Sequence, residues 1–423
     1  MKIDTLRVED ICDFIGGSQP AKSEFIDEPK TGYVRLIQTR DYKTDSFPTY
    51  IPENSTRKFC DENDIMIGRY GPPVFQICRG LKGAYNVALL KAKPKADVDR
   101  EFLYYFLKQD SVFQYVDKLS ARTGGQTGVD LVSLNKYPVR IPNDTTDQRG
   151  LVASLVAIDK KIELNNRINS ELEAMAKTIY DYWFVQFDFP DANGKPYKAS
   201  GGKMVYNDAL KREIPQDWKV NKLVEITSLI RRGISPKYTE ESGTQVLNQK
   251  CIRNQKISFE DSRRHQAIMD DNDERLLKPF DVLVNSTGVG TLGRVAYVKR
   301  LAEKKTTVDS HVSIVRANPD KVCPRYLAWK LMRYQPVIEA AANGSTGQVE
   351  LSKSFLEDLD VIIPSGSVAK NFSEFVEPIA ISVAKRESEN EQLISLRDWL
   401  LPMLMNGQVT VKPSTEAQEA QHG

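Results

Sequence analysis

A chain of 423 residues exceeds what one hydrophobic core usually organises, so two or more domains are expected. Apolar residues make up 40% and charged residues 27%, with a net charge of only +2, which excludes both a disordered chain and a uniformly basic coat for nucleic acid. Any polyanion has to be held by local patches. Five scattered cysteines, Cys12, Cys60, Cys78, Cys251 and Cys323, offer no pair at the spacing of a zinc knuckle and predict a reduced, cytoplasmic protein. The charged stretch 1–10 lacks the apolar core of a signal peptide, and no run approaches the ~18 apolar residues of a membrane span.

Residues 1–146 alternate short β-branched runs with Gly, Pro, Asn and Asp, the pattern of a mixed domain with a twisted sheet and a few helices. Residues 147–184 read as one long helix: from Asp147 to Trp183 there is no proline and a single glycine, Gly150, in the first turn. Its seam, taken at alternating spacings of four and three, is Leu151, Leu155, Ile158, Ile162, Asn165, Asn169, Leu172, Ala176 and Ile179. Residues 185–212 are assigned as a connecting segment, and 213–366 return to the mixed pattern of the first domain. A second long helix over 367–406 has the seam Phe372, Val376, Ile379, Val383, Arg386, Asn390, Leu393, Arg397 and Leu400, with Pro378 predicted to kink it. Residues 407–423 are expected to form a frayed tail, since nothing after Val411 is large enough to anchor it.

The halves repeat one another. Gly17-Ser18-Gln19-Pro20 corresponds to Gly233-Ile234-Ser235-Pro236 at an offset of 216, and Asp64-Ile65-Met66-Ile67 to Asp281-Val282-Leu283-Val284 at 217. Asn86-Val87-Ala88-Leu89 is set against His311-Val312-Ser313-Ile314 at 225. Thr123-Gly124-Gly125-Gln126 faces Ser345-Thr346-Gly347-Gln348, and Val139-Arg140-Ile141-Pro142 faces Val361-Ile362-Ile363-Pro364, both at 222. The polar seam residues Asn165 and Asn169 likewise precede Arg386 and Asn390 by 221. Two central polar layers meet only if the helices pair antiparallel, where they cost stability and fix register. The expected fold class is therefore α/β (α+β), with two similar mixed α/β domains separated by two long helices in an antiparallel coiled coil.

No assembled active site is evident. Gly288-Val289-Gly290-Thr291-Leu292-Gly293 has the spacing of a dinucleotide loop, but Arg294-Val295-Ala296-Tyr297-Val298 follows with strand composition, so a hairpin turn is expected. Tyr70-Gly71-Pro72-Pro73-Val74-Phe75 has Gly71 where amino-methyltransferases carry Asn or Asp, and reads as a rigid turn. His265, His311 and His422 are isolated and form neither metal cluster nor triad.

The loops suit groove entry instead, where base edges are met by donors and acceptors and phosphates by Arg and Lys. Arg122, Thr123, Gly124, Gly125, Gln126 and Thr127, with their counterparts Ser345, Thr346, Gly347 and Gln348, form one candidate base-reading set. Gln38, Arg40, Arg69 and Tyr70 form a second, matched in the other half by Asn248, Gln249, Lys250, Ser286, Thr287, Arg294 and His311. Phosphate positioning falls to Arg57, Lys58, Arg231, Arg232, Lys237, Arg263 and Arg264.

The first long helix ends Ala176-Lys177-Thr178-Ile179-Tyr180-Asp181-Tyr182-Trp183-Phe184, and the second domain opens Ile214-Pro215-Gln216-Asp217-Trp218. With Leu396-Arg397-Asp398-Trp399-Leu400-Leu401-Pro402-Met403-Leu404-Met405-Asn406-Gly407 closing the second helix, nearly the whole chain resembles the specificity subunits of type I restriction-modification systems. The resemblance implies a non-catalytic subunit with two target-recognition domains that read the halves of a bipartite DNA target around an unspecified spacer. It also implies two modification subunits that methylate adenine N6 and restriction subunits that add a motor and nuclease. S-adenosylmethionine, ATP and Mg then belong to those partners, and no cofactor to this chain. A coiled-coil scaffold without sequence-specific DNA binding also fits the helices, but leaves the duplicated glycine-glutamine loops unexplained.

Overall fold

The computed structural model describes residues 2–70, 74–120, 128–288, 290–343 and 350–409. The chain forms two compact units, one made of Met1–Leu164 with Asn390–Gly423 and the other of Asn165–Glu389. Both boundaries fall inside the polar stretch of the two seams.

In the first unit, an antiparallel four-stranded sheet runs in the order Cys12–Gly16, Leu89–Pro94, Ile65–Gly68, Ile77–Cys78. A second sheet orders Tyr50–Pro52, Tyr33–Ile37, Gly83–Tyr85 and Phe59–Cys60, with one parallel pair between Leu36–Ile37 and Ala84–Tyr85. The strand Ile65–Gly68 is buried along its whole length, as an interior strand with both faces covered has to be. Helix Arg100–Leu107 starts where Asp99 accepts hydrogen bonds from the backbone of Glu101 and Phe102. It brings Phe102, Leu103 and Tyr105 onto the sheet, in one core with Leu151 and Leu155 of the first long helix and Leu401 and Leu404 of the second.

The second unit repeats this plan. Its sheets order Thr227–Arg232, Val312–Ala317, Val282–Asn285, Val295–Tyr297 and Tyr238–Thr239, Arg263–His265, Thr244–Leu247, Thr306–Val308. The registers correct one expected correspondence. Gly68 faces Leu89 and Asn285 faces Val312, so these strands match at an offset of 223, and His311 occupies the place of Ala88. A slip of two residues keeps every side chain on its own face, so the alternating pattern alone could not detect it.

The first long helix spans Thr145–Tyr180 and closes in a π-turn at Asp181–Val185; the second spans Gly366–Met405, unbroken at Pro378, and ends at Gly407 with φ +70°. Within each unit the helix segments run antiparallel. Arg397 Nη1 donates to Asp159 Oδ1 at 2.9 Å in the first, and Asn165 Nδ2 to Glu389 Oε2 at 2.8 Å in the second. Asn165, Asn169 and Asn390 are buried as the seam predicts, whereas Arg386 turns back onto its own helix and donates to Ser382 O at 3.0 Å. At the helix C-termini the buried positions move one residue on, to Tyr180 and Leu401 in place of Ile179 and Leu400.

The stretch assigned as connecting, 185–212, is folded. Phe187 and Phe189 pack on Trp218 with ring centroids 5.4 and 5.1 Å apart, and Met204–Asn207 forms a hairpin with Arg212–Pro215. Paired strands over 204–215 stabilise a segment whose own pattern is too short to announce them.

Candidate nucleic-acid interface

Both units bring the same three loops to one end of their sheets. In the first, the strands Tyr33–Ile37 and Ile65–Gly68 run out into Gln38–Tyr42 and Arg69–Tyr70, and the chain re-enters at Leu89. The backbone ties them: Asn86 N donates to Ile37 O at 3.1 Å, Arg69 N to Ala88 O at 2.8 Å and Val129 N to Arg69 O at 3.1 Å. An isolated antiparallel bridge pairs Tyr70 with Gly128. The Cβ of any other residue at 128 would meet the Tyr70 ring at 3.1 Å.

The second unit reproduces each tie. Asp309 N donates to Leu247 O at 2.9 Å, Ser286 N to His311 O at 2.9 Å and Leu351 N to Ser286 O at 2.8 Å, and Thr287 bridges Glu350. One backbone cradle thus presents two different side-chain sets: Gln38, Thr39, Arg40, Arg69, Tyr70 and Ala88 become Asn248, Gln249, Lys250, Ser286, Thr287 and His311.

The side chains are held as follows. Gln38 Nε2 and Arg40 Nη2 both donate to Thr49 Oγ1, at 3.3 and 3.2 Å, and the Arg69 guanidinium stacks 5.0 Å from the Tyr70 ring centroid. His311 Nδ1 and Thr287 Oγ1 are hydrogen-bonded at 2.6 Å, and the His311 backbone N–H donates to Asp309 Oδ1 at 2.9 Å. Burial pushes the Asp309 carboxyl above its ordinary range. Asn248 caps its own turn, accepting from Lys250 N at 2.8 Å and donating to Asp261 O at 2.9 Å. Asn285 Nδ2 donates to Gln249 O at 3.0 Å, which fixes the turn that holds Gln249.

Ser286 is a correction. Its side chain is fully buried, with its hydroxyl 2.6 Å from Ser313 Oγ, so it supports the cradle from beneath and cannot reach a base edge. Gly288–Gly293 lies between two antiparallel strands, the hairpin turn expected, and Arg294 Nη2 closes it on Gly290 O at 2.7 Å. Residues 71–73, Val289, and the candidates Arg122, Thr123, Gly124, Gly125, Gln126, Thr127, Ser345, Thr346, Gly347 and Gln348 lie outside the described residues.

The phosphate candidates divide. Arg231 pairs with Glu274, Arg232 with Glu350 at 2.5 Å, and Arg264 grips Glu303. These cations already have a carboxylate that a phosphate would have to displace. Arg263 stacks on Tyr238, 3.6 Å from its ring centroid. Arg57, Lys58 and Lys237 enter no ion pair among the described residues, which leaves their charge available. Sequence reasoning did not single out Thr39, whose Cγ2 lies 3.4 Å from where a Cβ at Gly68 would sit, or Tyr238, on which Arg263 stacks, because neither belongs to a motif that repeats. No group of His, Cys, Asp and Glu able to hold a metal occurs among the described residues, and none of the described helices is long and apolar enough to cross a membrane.

Two copies of one α/β domain, each presenting three tied loops and each with its own antiparallel stretch of the long helices, define a duplicated recognition protein rather than a single-site one. Residues 2–174 match the family model described as the type I restriction modification DNA specificity domain. The type I restriction enzyme MjaIX specificity subunit of Methanocaldococcus jannaschii is 24% identical over 97% of this chain and 94% of its own length. The HindI specificity subunit of Haemophilus influenzae is 21% identical over 73% of this chain and 77% of its own. The fold is shared with the crystal structure of a type I restriction-modification S subunit from M. genitalium, at TM-score 0.55 and 15% identity over 96% of both chains. Over nearly its whole length the chain is similar to the specificity subunits of type I restriction-modification systems.

Proposed function

We propose that this chain is the non-catalytic, DNA-reading subunit of a type I restriction-modification complex, with each unit reading one half of a bipartite target. The observation that carries this is the cradle built twice on matching backbone ties but furnished with different side chains. One backbone with two side-chain sets is what separate reading of two unlike half-sites requires, because base edges are distinguished by donor and acceptor pattern. The strongest base-reading candidates among the described residues are Arg69, Tyr70, Thr287 and His311, in addition to the sequence candidates within 121–127 and 344–349; Arg57, Lys58 and Lys237 suit phosphates. Exchanging residues 1–145 for those of a relative should change one half of the enriched sequence when the assembled complex selects from a random duplex pool. A change in both halves would rule out independent reading, and no enrichment at all would favour a coiled-coil scaffold.

The partners of this reading are two modification subunits, which carry S-adenosylmethionine and methylate adenine, and restriction subunits, which use ATP and Mg. Two copies are supported by a repeated apolar stripe on the long helices. Met175 and Tyr182 stand exposed in the second unit; 221 residues further on, Leu396 stands exposed and Met403 half-buried in the first, either side of the 55%-exposed Trp399. Exposed large apolar groups at matching helical positions suit docking of the same partner twice.

The long helices then act as a ruler. The 37 residues from Asp147 to Trp183 correspond to about 55 Å at 1.5 Å per residue, on the order of one and a half DNA turns. Inserting one heptad after Asn169 and another after Asn390 keeps the seam in phase, and should lengthen the unspecified spacer while leaving both half-sites unchanged. A folded, active variant with the original spacer would show that the partner subunits set the gap.

A further inference from the structure

Each unit places a cation just past the return strand of its hairpin and sets it within 4 Å of a carboxylate of the first long helix, Asp159 or Glu173, and the two units do so with unrelated residues. In the first unit the cation is Arg79, directly after Ile77–Cys78. Its Nη1 donates to Glu101 Oε2 at 2.7 Å, its Cζ stacks 3.9 Å from the Tyr104 ring centroid, and its Nη2 lies 3.7 Å from Asp159 Oδ2. Asp159, on the first long helix, also accepts the Tyr105 hydroxyl at 2.6 Å and Arg397 Nη1, from the second long helix, at 2.9 Å. Burial acts to raise the Asp159 carboxyl, but the hydrogen bonds from Tyr105 and Arg397 outweigh it and hold it below its ordinary range. It therefore stands charged between two guanidinium groups.

In the second unit the cation is Lys299, two residues past Val295–Tyr297. Its Nζ is bonded to Glu173 on the first long helix and lies 4.0 Å from Glu387 Oε1 on the second. Lys256 shares Glu173 at 3.3 Å. The residue 221 after Asp159 is Ala380, and the residue 221 before Arg397 is Ala176, so the first network was not copied with the repeat. What the halves share is the geometry of the tie and not its residues. A feature rebuilt from different side chains in each copy is constrained by its placement, and what it places is the hairpin bearing Arg69–Tyr70 or Thr287–Arg294.

We propose that Arg79 and Lys299 are positioning residues for DNA reading, each aligning its recognition hairpin on the helices that carry the apolar stripes. In the first unit Arg397, which completes the network, stands next to exposed Leu396 and two residues from Trp399, so a partner seated on that face is mechanically joined to the hairpin. This rests on the independent reading of two half-sites proposed above.

The test uses the full chain assembled with a type I modification subunit and a duplex pool randomised across both half-sites. Arg79→Met is chosen because Asp159 keeps Tyr105 and Arg397, and Lys299→Met because Glu173 keeps Lys256; unfolding midpoints are recorded for each. Arg79→Met should cost about tenfold in discrimination at the half-site read by the first unit and leave the other half unchanged. Lys299→Met should do the converse, and Arg79→Lys should recover most of the loss. Should Arg79→Met prove unstable, Asp159→Asn, which keeps the shape but removes the charge, carries the same expectation. Unchanged discrimination in both variants, or an equal loss in both halves, overturns the positioning role while DNA reading stands. A wild-type complex that enriches no sequence overturns the reading itself, and the positioning role with it.

Discussion

Replacing Arg316 with alanine is expected to destabilise the second unit by about 3–5 kcal/mol, the usual cost of leaving one partner of a buried ion pair uncompensated. Asp281 is 1% exposed and opens the central strand Val282–Asn285. Its carboxylate receives Arg316 Nε at 2.8 Å and Nη2 at 2.6 Å, a two-point grip, together with the Lys278 backbone N–H at 2.7 Å. Denaturant unfolding of the full chain would measure the loss, and the double replacement Asp281→Asn with Arg316→Met should recover much of it by removing both charges. Burial already holds the Asp281 carboxyl above its ordinary range in spite of Arg316. A carboxyl whose folded pKa exceeds its unfolded value binds protons more readily when folded, so its unfavourable contribution is complete above the raised pKa and is relieved as pH falls through it. The deficit of Arg316→Ala should therefore shrink on acidification. A deficit under ~1 kcal/mol, or one that grows on acidification, would show that water reaches the carboxylate.

Gly17→Ala and Gly233→Ala are expected to cost at least about 3 kcal/mol each, by overpacking against backbone that cannot retreat. A Cβ at 17 would sit 2.0 Å from Asn86 O, and one at 233 would sit 1.9 Å from Val308 O. Both glycines donate their N–H to the return strand, Gly17 to Leu89 O and Gly233 to Val312 O, each at 3.1 Å, while the next residues, Ser18 and Ile234, donate to Tyr85 O and Val308 O at 3.2 and 2.9 Å, and together these bonds leave no room for a side chain. Hydrogen exchange should reveal loosening confined to Leu89–Pro94 in the first variant and to Val312–Ala317 in the second. Gly16→Ala is the control, since nothing lies within 4 Å of a Cβ there. If Gly233→Ala matched Gly16→Ala in stability, the close approach would have to be adjustable.

The duplication, the two long helices with their polar seam and the hairpin nature of Gly288–Gly293 were all legible in the sequence, because each is a matter of local period or of order along the chain. So were the glycines at 17 and 233, whose match survives in the strand registers. The family resemblance rested on the helix ends, where apolar and aromatic residues recur at fixed spacing. Tertiary structure alone decided which candidate side chains are free to act. Nothing local distinguishes Arg231, Arg232 and Arg264, which are occupied by Glu274, Glu350 and Glu303, from Arg57, Lys58 and Lys237, which enter no ion pair among the described residues. Ser286 reads like Thr287 in sequence, yet one is beneath the cradle and the other on it. The networks around Asp159 and Glu173 were invisible for the same reason: Arg397 lies 238 residues from Asp159 and Lys299 lies 126 from Glu173. Charge pairing across such distances follows from how the sheets settle on the helices, and that packing is fixed by the summed burial of many side chains rather than by any short stretch of chain.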